Sequence, residues 1–170
     1  MTLNRSRKPD ARATNVLQLV HCDLAGPVDP VAKDGFRYAL VFVDDYSGCT
    51  TTYFLKQKSD NVRATKRYLS DIAPYGAVKC IRTDNAEEFM SSEYKNLLIE
   101  NKIKHQTSDL HSPHQNGTAE RAWRTLFDMA RCMLIESGLP KCLWTYAVMC
   151  SLYTRNRCYN PRLDMTAWRP

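Results

Sequence analysis

Apolar and polar positions divide the chain into short extended runs and longer amphipathic segments. Runs rich in β-branched and aromatic side chains, bounded by turn residues, predict strands. Gly26 and Pro27 end the first run, and Tyr46-Ser47-Gly48 separates the second from the third. The five predicted strands cover residues 16–23, 36–45, 50–55, 77–83 and 102–106.

Four further segments repeat apolar residues at helical spacing. Ser59 offers an N-cap for the first of them, and Gly138 and Pro140 end the third. The predicted helices cover residues 60–73, 91–101, 117–137 and 141–156. A polar stretch with a Pro and a Gly, residues 107–118, predicts a loop before the long third helix. The order indicates a mixed α/β domain whose sheet is covered by helices, which several folds share.

Length and composition indicate one domain. The chain has 170 residues, of which 44% are hydrophobic. We expect a linker or disordered tail over residues 1–14, a core domain over 15–160 and a C-terminal tail over 161–170. No apolar run is long enough to span a bilayer and the first residues are polar and basic, so we expect a soluble, intracellular protein with no membrane partner.

Net charge and cysteine content exclude only a few classes of protein. A net charge of +6 suits a polyanionic partner without establishing one. The seven cysteines include no Cys-x-x-Cys pair, which argues against a disulfide framework and a structural zinc site. We expect most of them to be reduced, buried thiols.

Three acidic residues are placed where chemistry could use them. Asp23 ends the first predicted strand, Asp84 follows the fourth, and Glu120 lies in the first turns of the long helix. Carboxylates held at the rim of a sheet can bind Mg²⁺, and two such ions about 3.5–4 Å apart promote phosphoryl transfer. Each acid also has a structural alternative, as a turn residue, a helix cap or a dipole partner.

The flanking residues of these acids carry a family resemblance. The strings HCDLAGP, RYALVFVDDYSG, IRTDNAEEF and HSPHQNGTAERAWRTL occur in this order, and 35 residues separate Asp84 from Glu120. Together they resemble the integrase catalytic core of Copia-type long-terminal-repeat retrotransposons, a relative of retroviral integrase. The resemblance covers residues 17–160, nearly the whole chain.

The resemblance implies a ribonuclease H-like α/β fold, with a five-stranded mixed sheet flanked by helices. It implies that Asp23, Asp84 and Glu120 are catalytic and hold two Mg²⁺ or Mn²⁺ ions. The implied reaction is integration: water attacks near the 3′ end of the element's DNA, and the freed hydroxyl attacks target DNA. The implied partners are element-end DNA, target DNA and further copies of the chain, and the reaction implies a nuclear location.

Residues around Glu120 are further candidates for contact with DNA. In the family, the loop that enters the catalytic helix lies against DNA ends, although it could serve only to let the chain turn. Arg124, four residues after Glu120, could steer a phosphate or pair with the acid. Asp44 and Asp45 lie beside a turn and suggest turn chemistry instead. The candidate DNA-binding residues are His114, Gln115, Asn116, Gly117, Arg121 and Arg124.

One departure from the family pattern keeps other functions open. Ala86 and Glu87 stand where the family has two glycines, which could strain the backbone or place an extra charge near DNA. A decayed or host-adopted copy that binds DNA with little catalysis therefore remains an alternative. A protein-interaction or dimerisation module is another, and salt-sensitive DNA binding would exclude it.

Overall fold

A five-stranded sheet forms the centre of the fold. The computed structural model describes residues 12–107, 117–161 and 163–167. The strands are β1 (Val20–Ala25), β2 (Tyr38–Asp44), β3 (Thr50–Leu55), β4 (Cys80–Thr83) and β5 (Lys104–Thr107). Their order across the sheet is β3-β2-β1-β4-β5. The first three pair antiparallel, whereas β4 pairs parallel with β1 and β5. The predicted five-stranded mixed sheet is therefore confirmed.

Helices cover both faces of this sheet. They are α1 (Asn61–Ile72), α2 (Glu87–Met90), α3 (Ser92–Glu100), α4 (Gly117–Ser137) and α5 (Trp144–Arg157). On one face α1 and α3 pack on Leu40 and Phe42. On the other face α4 packs on Val41 and Val43. Within the described ranges, no helix is long and apolar enough to cross a membrane.

Strand β2 is buried on both faces because it lies between these two helical layers. Six of its seven residues are buried, and they are mostly aliphatic or aromatic. The Phe42 ring stacks on Tyr68 of α1 with centroids 4.0 Å apart. On the opposite face, small residues of α4, including Ala119 and Ala122, let the helix axis lie close to β2. The position of α4 on the sheet is thus fixed by close packing.

The start of β1 differs from the prediction. The strand begins at Val20 rather than at residue 16, and it continues past Asp23 to Ala25. Leu17 has a φ of 61°, and its N–H donates to the Asp44 carboxylate at 2.8 Å instead of joining a ladder. The apolar residues before Val20 therefore form a turn, and Asp23 lies within the strand rather than at its end.

Several short elements were also outside the prediction. A 3-10 turn, Lys58–Asp60, precedes α1, so the N-cap of α1 is Asp60 rather than Ser59. The Asp60 side chain forms no cap bond with α1 but accepts a hydrogen bond from the Gln57 N–H at 3.2 Å, in a capping box at the start of the 3-10 turn. Two further 3-10 turns are Ala73–Tyr75, which follows α1, and Lys141–Leu143, which precedes α5. Strands β6 (Tyr159–Asn160) and β7 (Met165–Thr166) pair antiparallel within and beside the predicted C-terminal tail. The domain limits themselves stay predictions.

The end of α5 is fastened to the start of β3 by side chains. The buried Asn156 amide accepts a hydrogen bond from the Thr50 N–H at 3.0 Å and donates to the Thr50 carbonyl at 2.7 Å. Arg155 donates to the Gly48 carbonyl at 3.2 Å and to the Thr50 hydroxyl. These bonds hold the β2–β3 turn against α5.

The cysteines are less buried than expected. Cys22 and Cys80 are buried, whereas Cys132, Cys150 and Cys158 are exposed. The exposed thiols lie on or directly after α4 and α5. The expectation that most thiols are buried was wrong.

Candidate active site

Two of the three predicted acids lie side by side on neighbouring strands. Because β1 pairs with β4 in parallel, with His21 opposite Arg82, the residues two positions further along each strand reach the same level. Those residues are Asp23, within β1, and Asp84, directly after β4. Both carboxylates are half-buried.

The third acid reaches the same place from α4. Ala119 is fully buried against Val41, and Val41 is the register partner of Asp23. The next residue, Glu120, is exposed at the edge of this contact and lines one cleft together with Asp23. Three separate elements therefore place Asp84 and Glu120 within electrostatic reach of Asp23.

The proximity of the three acids changes the acidity of Asp23. Burial raises its pKa first, and the negative charges of Asp84 and Glu120 raise it further, to about 6. A hydrogen bond from the Leu24 N–H opposes these effects. Near neutral pH the site thus holds carboxylates that repel one another, and a cation would relieve that repulsion.

The acids suit a divalent metal ion in kind but are not closed around one. Three carboxylates are the donors that Mg²⁺ and Mn²⁺ prefer. Among the described residues, however, no group of three His, Cys, Asp or Glu side chains lies close enough together to hold a metal ion.

Asp84 also has a local structural role. Its Oδ1 accepts a hydrogen bond from the Ala86 N–H at 3.2 Å, which forms the turn between β4 and α2. Ala86 has φ −62° and ψ 144°, and Glu87 begins α2 with an exposed side chain. Neither residue needs a glycine conformation, so the departure from the family pattern strains no backbone here.

The candidate DNA-binding residues divide into described and undescribed ones. His114, Gln115 and Asn116 lie outside the described residues. Gly117 is the buried first residue of α4, and the Arg121 guanidinium lies over it, 2.8 Å from where a Cβ would be. Arg124 is exposed and lines the cleft with Asp23 and Glu120. In the described part of the chain, no ion pair joins Arg124 to Glu120.

Asp44 and Asp45 are structural, although only Asp44 acts through its turn. The Asp44 carboxylate accepts hydrogen bonds from the Ser47 N–H at 2.8 Å and the Ser47 hydroxyl at 2.6 Å. Asp45 accepts from the Ala13 N–H at 2.7 Å and contacts the buried His21 ring at 3.0 Å. The His21 hydrogen bond holds the pKa of Asp45 below its usual value.

Two aromatic residues in the wall of the site were not among the predicted site residues. Trp123 and Phe127 line the cleft that contains Asp23 and Glu120, which has a volume of about 380 Å³. They also line a second cleft of about 390 Å³ formed with Gly26, Pro27 and Asp29. Their positions three and seven residues after Glu120 were the available signal, because both spacings return to one side of a helix.

Known proteins resemble this chain in sequence. The family model described as integrase core domain matches residues 13–113, more than half of the chain. The chain belongs to the integrase core domain family. Asp23 and Asp84 lie inside the matched range, and Glu120 follows it.

Relatives and solved structures extend the likeness beyond that range. The integrase core is 32% identical over 148 residues to the retrovirus-related Pol polyprotein from transposon TNT 1-94 of Nicotiana tabacum, covering 86% of the chain and 11% of the relative. It is 30% identical to that from transposon RE2 of Arabidopsis thaliana, covering 96% of the chain and 12% of the relative. The chain thus spans only about a tenth of the length of such polyproteins.

A solved structure shows the same fold over nearly the whole chain. The HTLV-2 integrase catalytic core domain in complex with magnesium, in its trimeric form, superposes with a TM-score of 0.70 at 20% identity. The match covers 92% of this chain and 97% of that one. The integrase core therefore has the ribonuclease H-like fold that its sequence predicted.

Proposed function

We propose that this integrase core is the DNA strand-transferring domain of a retrotransposon integrase, with Asp23, Asp84 and Glu120 as its catalytic residues. The observation that carries the proposal is that these three acids converge from β1, the end of β4 and α4. Burial and the charges of the other two acids raise the pKa of Asp23 to about 6. A site that gathers three carboxylates is suited to a bound metal ion.

The metal ions would be Mg²⁺ or Mn²⁺, held by Asp23, Asp84 and Glu120. When bound, two such ions activate an attacking oxygen and stabilise a leaving oxygen in phosphoryl transfer. The magnesium complex of the HTLV-2 catalytic core, which has the same fold, supports a divalent ion here. We expect the ions to draw the three carboxylates closer together, because they remove the repulsion between them.

The protein's own groups would position the DNA. Asp23 lies within β1 and pairs with Val41 of β2, so its backbone is fixed by that ladder. Glu120 is fixed through the buried Ala119 beside it. Arg124 presents a charge in the same cleft that would bind a phosphate of the reacting strand. The net charge of +6 favours a polyanion more generally.

The proposed reaction has two stages on DNA. Water attacks a phosphodiester near the 3′ end of element DNA, and the released 3′ hydroxyl then attacks target DNA. We propose that copies of the chain assemble for this reaction in the nucleus. The dimeric and trimeric forms of the HTLV-2 core support assembly, and the reaction on chromosomal DNA supports the location.

A disintegration assay tests the proposal. A branched DNA that mimics the strand-transfer product is incubated with the integrase core and Mn²⁺ or Mg²⁺, and release of the branch is measured on a denaturing gel. We expect metal-dependent release that Glu120→Gln abolishes. Glu136→Gln is the matched control, because Glu136 is an exposed glutamate near the far end of the same helix.

The assay also separates the catalytic proposal from a decayed copy. If folded protein binds DNA in a salt-sensitive way but releases no branch with either metal, the catalytic assignment fails and DNA binding alone remains. If Glu120→Gln and Glu136→Gln behave alike, Glu120 has no catalytic role.

A further inference from the structure

The wall of the cleft beside the three acids is aromatic. Trp123 and Phe127 lie on α4, three and seven residues after Glu120, which is about 4.5 Å and about 10 Å further along the helix axis. Both rings are half-buried, so part of each surface remains open to solvent. Packing against α5 and the sheet accounts for the buried part only.

The rings line two clefts that meet. Gly26, Trp123 and Phe127 are shared by the cleft of about 380 Å³ that contains Asp23 and Glu120 and by the neighbouring cleft of about 390 Å³. We name this continuous space the Trp123–Phe127 cleft. Gly26 lines both clefts without a side chain. A Cβ at this position would lie 2.7 Å from the Arg37 carbonyl oxygen, which is too close for any side chain.

We propose that the Trp123–Phe127 cleft receives an unpaired base of the DNA strand that reacts at the acids. The proposal rests on the proposed function and adds a binding site for a nucleobase to it. Aromatic side chains beside a phosphate-binding site are the usual means of holding single-stranded nucleic acid, because every base has a flat apolar face.

The geometry decides how a base would lie. The two ring centroids are 5.2 Å apart and the planes differ by 28°. A base inserted between them would need about 7 Å, which is twice the 3.4 Å stacking distance. The base therefore stacks over the outer surface of Trp123 rather than between the rings, and Phe127 extends the surface behind it.

Charge orients the rest of the nucleotide. Arg124 lies beside the rings on the side of the acids, where it meets the phosphate next to the base. Asp29 lies in the second cleft, and Asp128 lies at the edge of the first, 3.8 Å from Arg131. These carboxylates repel phosphate, so the backbone follows Arg124 while the neutral base enters the cleft.

The length of a nucleotide fits this path. Successive stacked bases advance about 3.4 Å, and Trp123 is about 4.5 Å from Glu120 along the helix. A base one or two positions from the reacting phosphodiester thus reaches the ring. A base-paired nucleotide would not, since its face is already stacked in the duplex, so the site selects a frayed or single-stranded position.

Fluorescence of a modified base tests the inference. The probe is a DNA duplex with a three-nucleotide single-stranded 3′ tail that contains 2-aminopurine, whose emission falls when it stacks. Measurements use the Glu120→Gln background, so that no strand is cut, and compare the tailed duplex with a blunt one. We expect quenching on binding and a five- to hundredfold loss of affinity for the tailed DNA in Trp123→Leu.

Three comparisons make the result decisive. Trp123→Phe keeps an aromatic face, so we expect its affinity to stay within about threefold of the parent. Binding of blunt duplex should change less than twofold in either variant. Tyr75→Leu removes an exposed ring remote from the cleft and should leave the quenching unchanged. Thermal melting of each variant confirms that it is folded.

The inference is overturned if the folded parent binds the tailed duplex without quenching, or if Trp123→Leu weakens tailed and blunt DNA equally. These outcomes are independent of branch release in the disintegration assay. A chain with no strand-transfer activity can still stack a base, and an active chain can fail to do so.

Discussion

Asp23 of β1 and Asp84, which directly follows β4, reach the same level, because His21 pairs with Arg82 two residues before each of them. Neighbouring strands are only about 4.8 Å apart, so two negative charges at one level oppose each other. Glu120 adds a third charge from α4. Holding these like charges close together lowers the stability of the folded protein.

Asp23→Asn should stabilise the metal-free protein at neutral pH. The folded-state pKa of Asp23 is raised from 3.8 to about 6, so its ionisation weakens the fold progressively as the pH rises from about 4 to about 6. Removing the charge should raise the free energy of unfolding by about 1–3 kcal/mol above pH 7 and have little effect below pH 4. Urea denaturation at both pH values measures this. A variant less stable than the parent at pH 7 would show that Asp23 is not repelled.

Stabilisation by Mg²⁺ should depend on pH in the opposite sense. Above pH 6 the ionised Asp23 is available as a ligand, and a bound cation should raise the melting temperature. Below pH 6 a proton competes with the metal for the Asp23 carboxylate, so the increase in melting temperature should fade. Thermal melts with and without MgCl₂ at pH 7.5 and pH 5 test this, with NaCl of equal ionic strength as control. An equal increase at both pH values would place the metal elsewhere.

Ala119→Leu should impair activity while every acid remains in place. Ala119 of α4 is fully buried against Val41, so a larger side chain there must push the helix away from β1 and β2. We expect a loss of about 1–3 kcal/mol in the free energy of unfolding. A displacement of about 1 Å at Glu120 should lower branch release about 100-fold. Cys132→Leu makes a similar change on the exposed side of α4 and should be silent. Unchanged branch release in Ala119→Leu would mean that Glu120 is not positioned by this contact.

Ala86→Gly should destabilise the protein, even though it moves the sequence toward the family pattern. Ala86 already has an ordinary extended backbone at φ −62°, so glycine relieves no strain and only gains freedom in the unfolded chain. The expected loss is about 0.5–1 kcal/mol in denaturant unfolding. A gain in stability would show that the alanine is strained.

Asn156→Ala should be among the most damaging changes remote from the acids. The buried amide satisfies both the N–H and the carbonyl of Thr50, and its removal leaves two backbone groups without these partners. We expect a loss of about 2–3 kcal/mol in the free energy of unfolding. Asn96→Ala, at an exposed position of α3, is the control and should change stability by less than about 0.5 kcal/mol.

The sequence predicted those parts of the fold whose local and tertiary preferences agree. Strand β2 is such a case, because an aliphatic and aromatic run suits both strand geometry and burial on two faces. The run before β1 was predicted wrongly because its local preference and its tertiary contacts disagree. It is apolar enough for a strand, but Leu17 is diverted by the Asp44 carboxylate, a contact between residues far apart in sequence.

The site shows the same limit. The identities of the three acids came from their flanking residues, but the approach of Asp23 to Asp84 depends on strand register, which no local pattern encodes. Trp123 and Phe127 read equally well as core residues, because an aromatic residue on a half-buried helix face can serve packing and binding alike. Only the clefts beside Glu120 distinguish the two roles.

The bond between Asn156 and Thr50 has a consequence beyond the stability of one molecule. Strand β3 is one of the two edge strands of the sheet, and an edge strand presents unpaired backbone groups that can recruit a strand from another chain. At Thr50 both groups are already occupied by a side-chain amide that imitates a neighbouring strand. The end of α5 therefore blocks the addition of another strand at the start of β3.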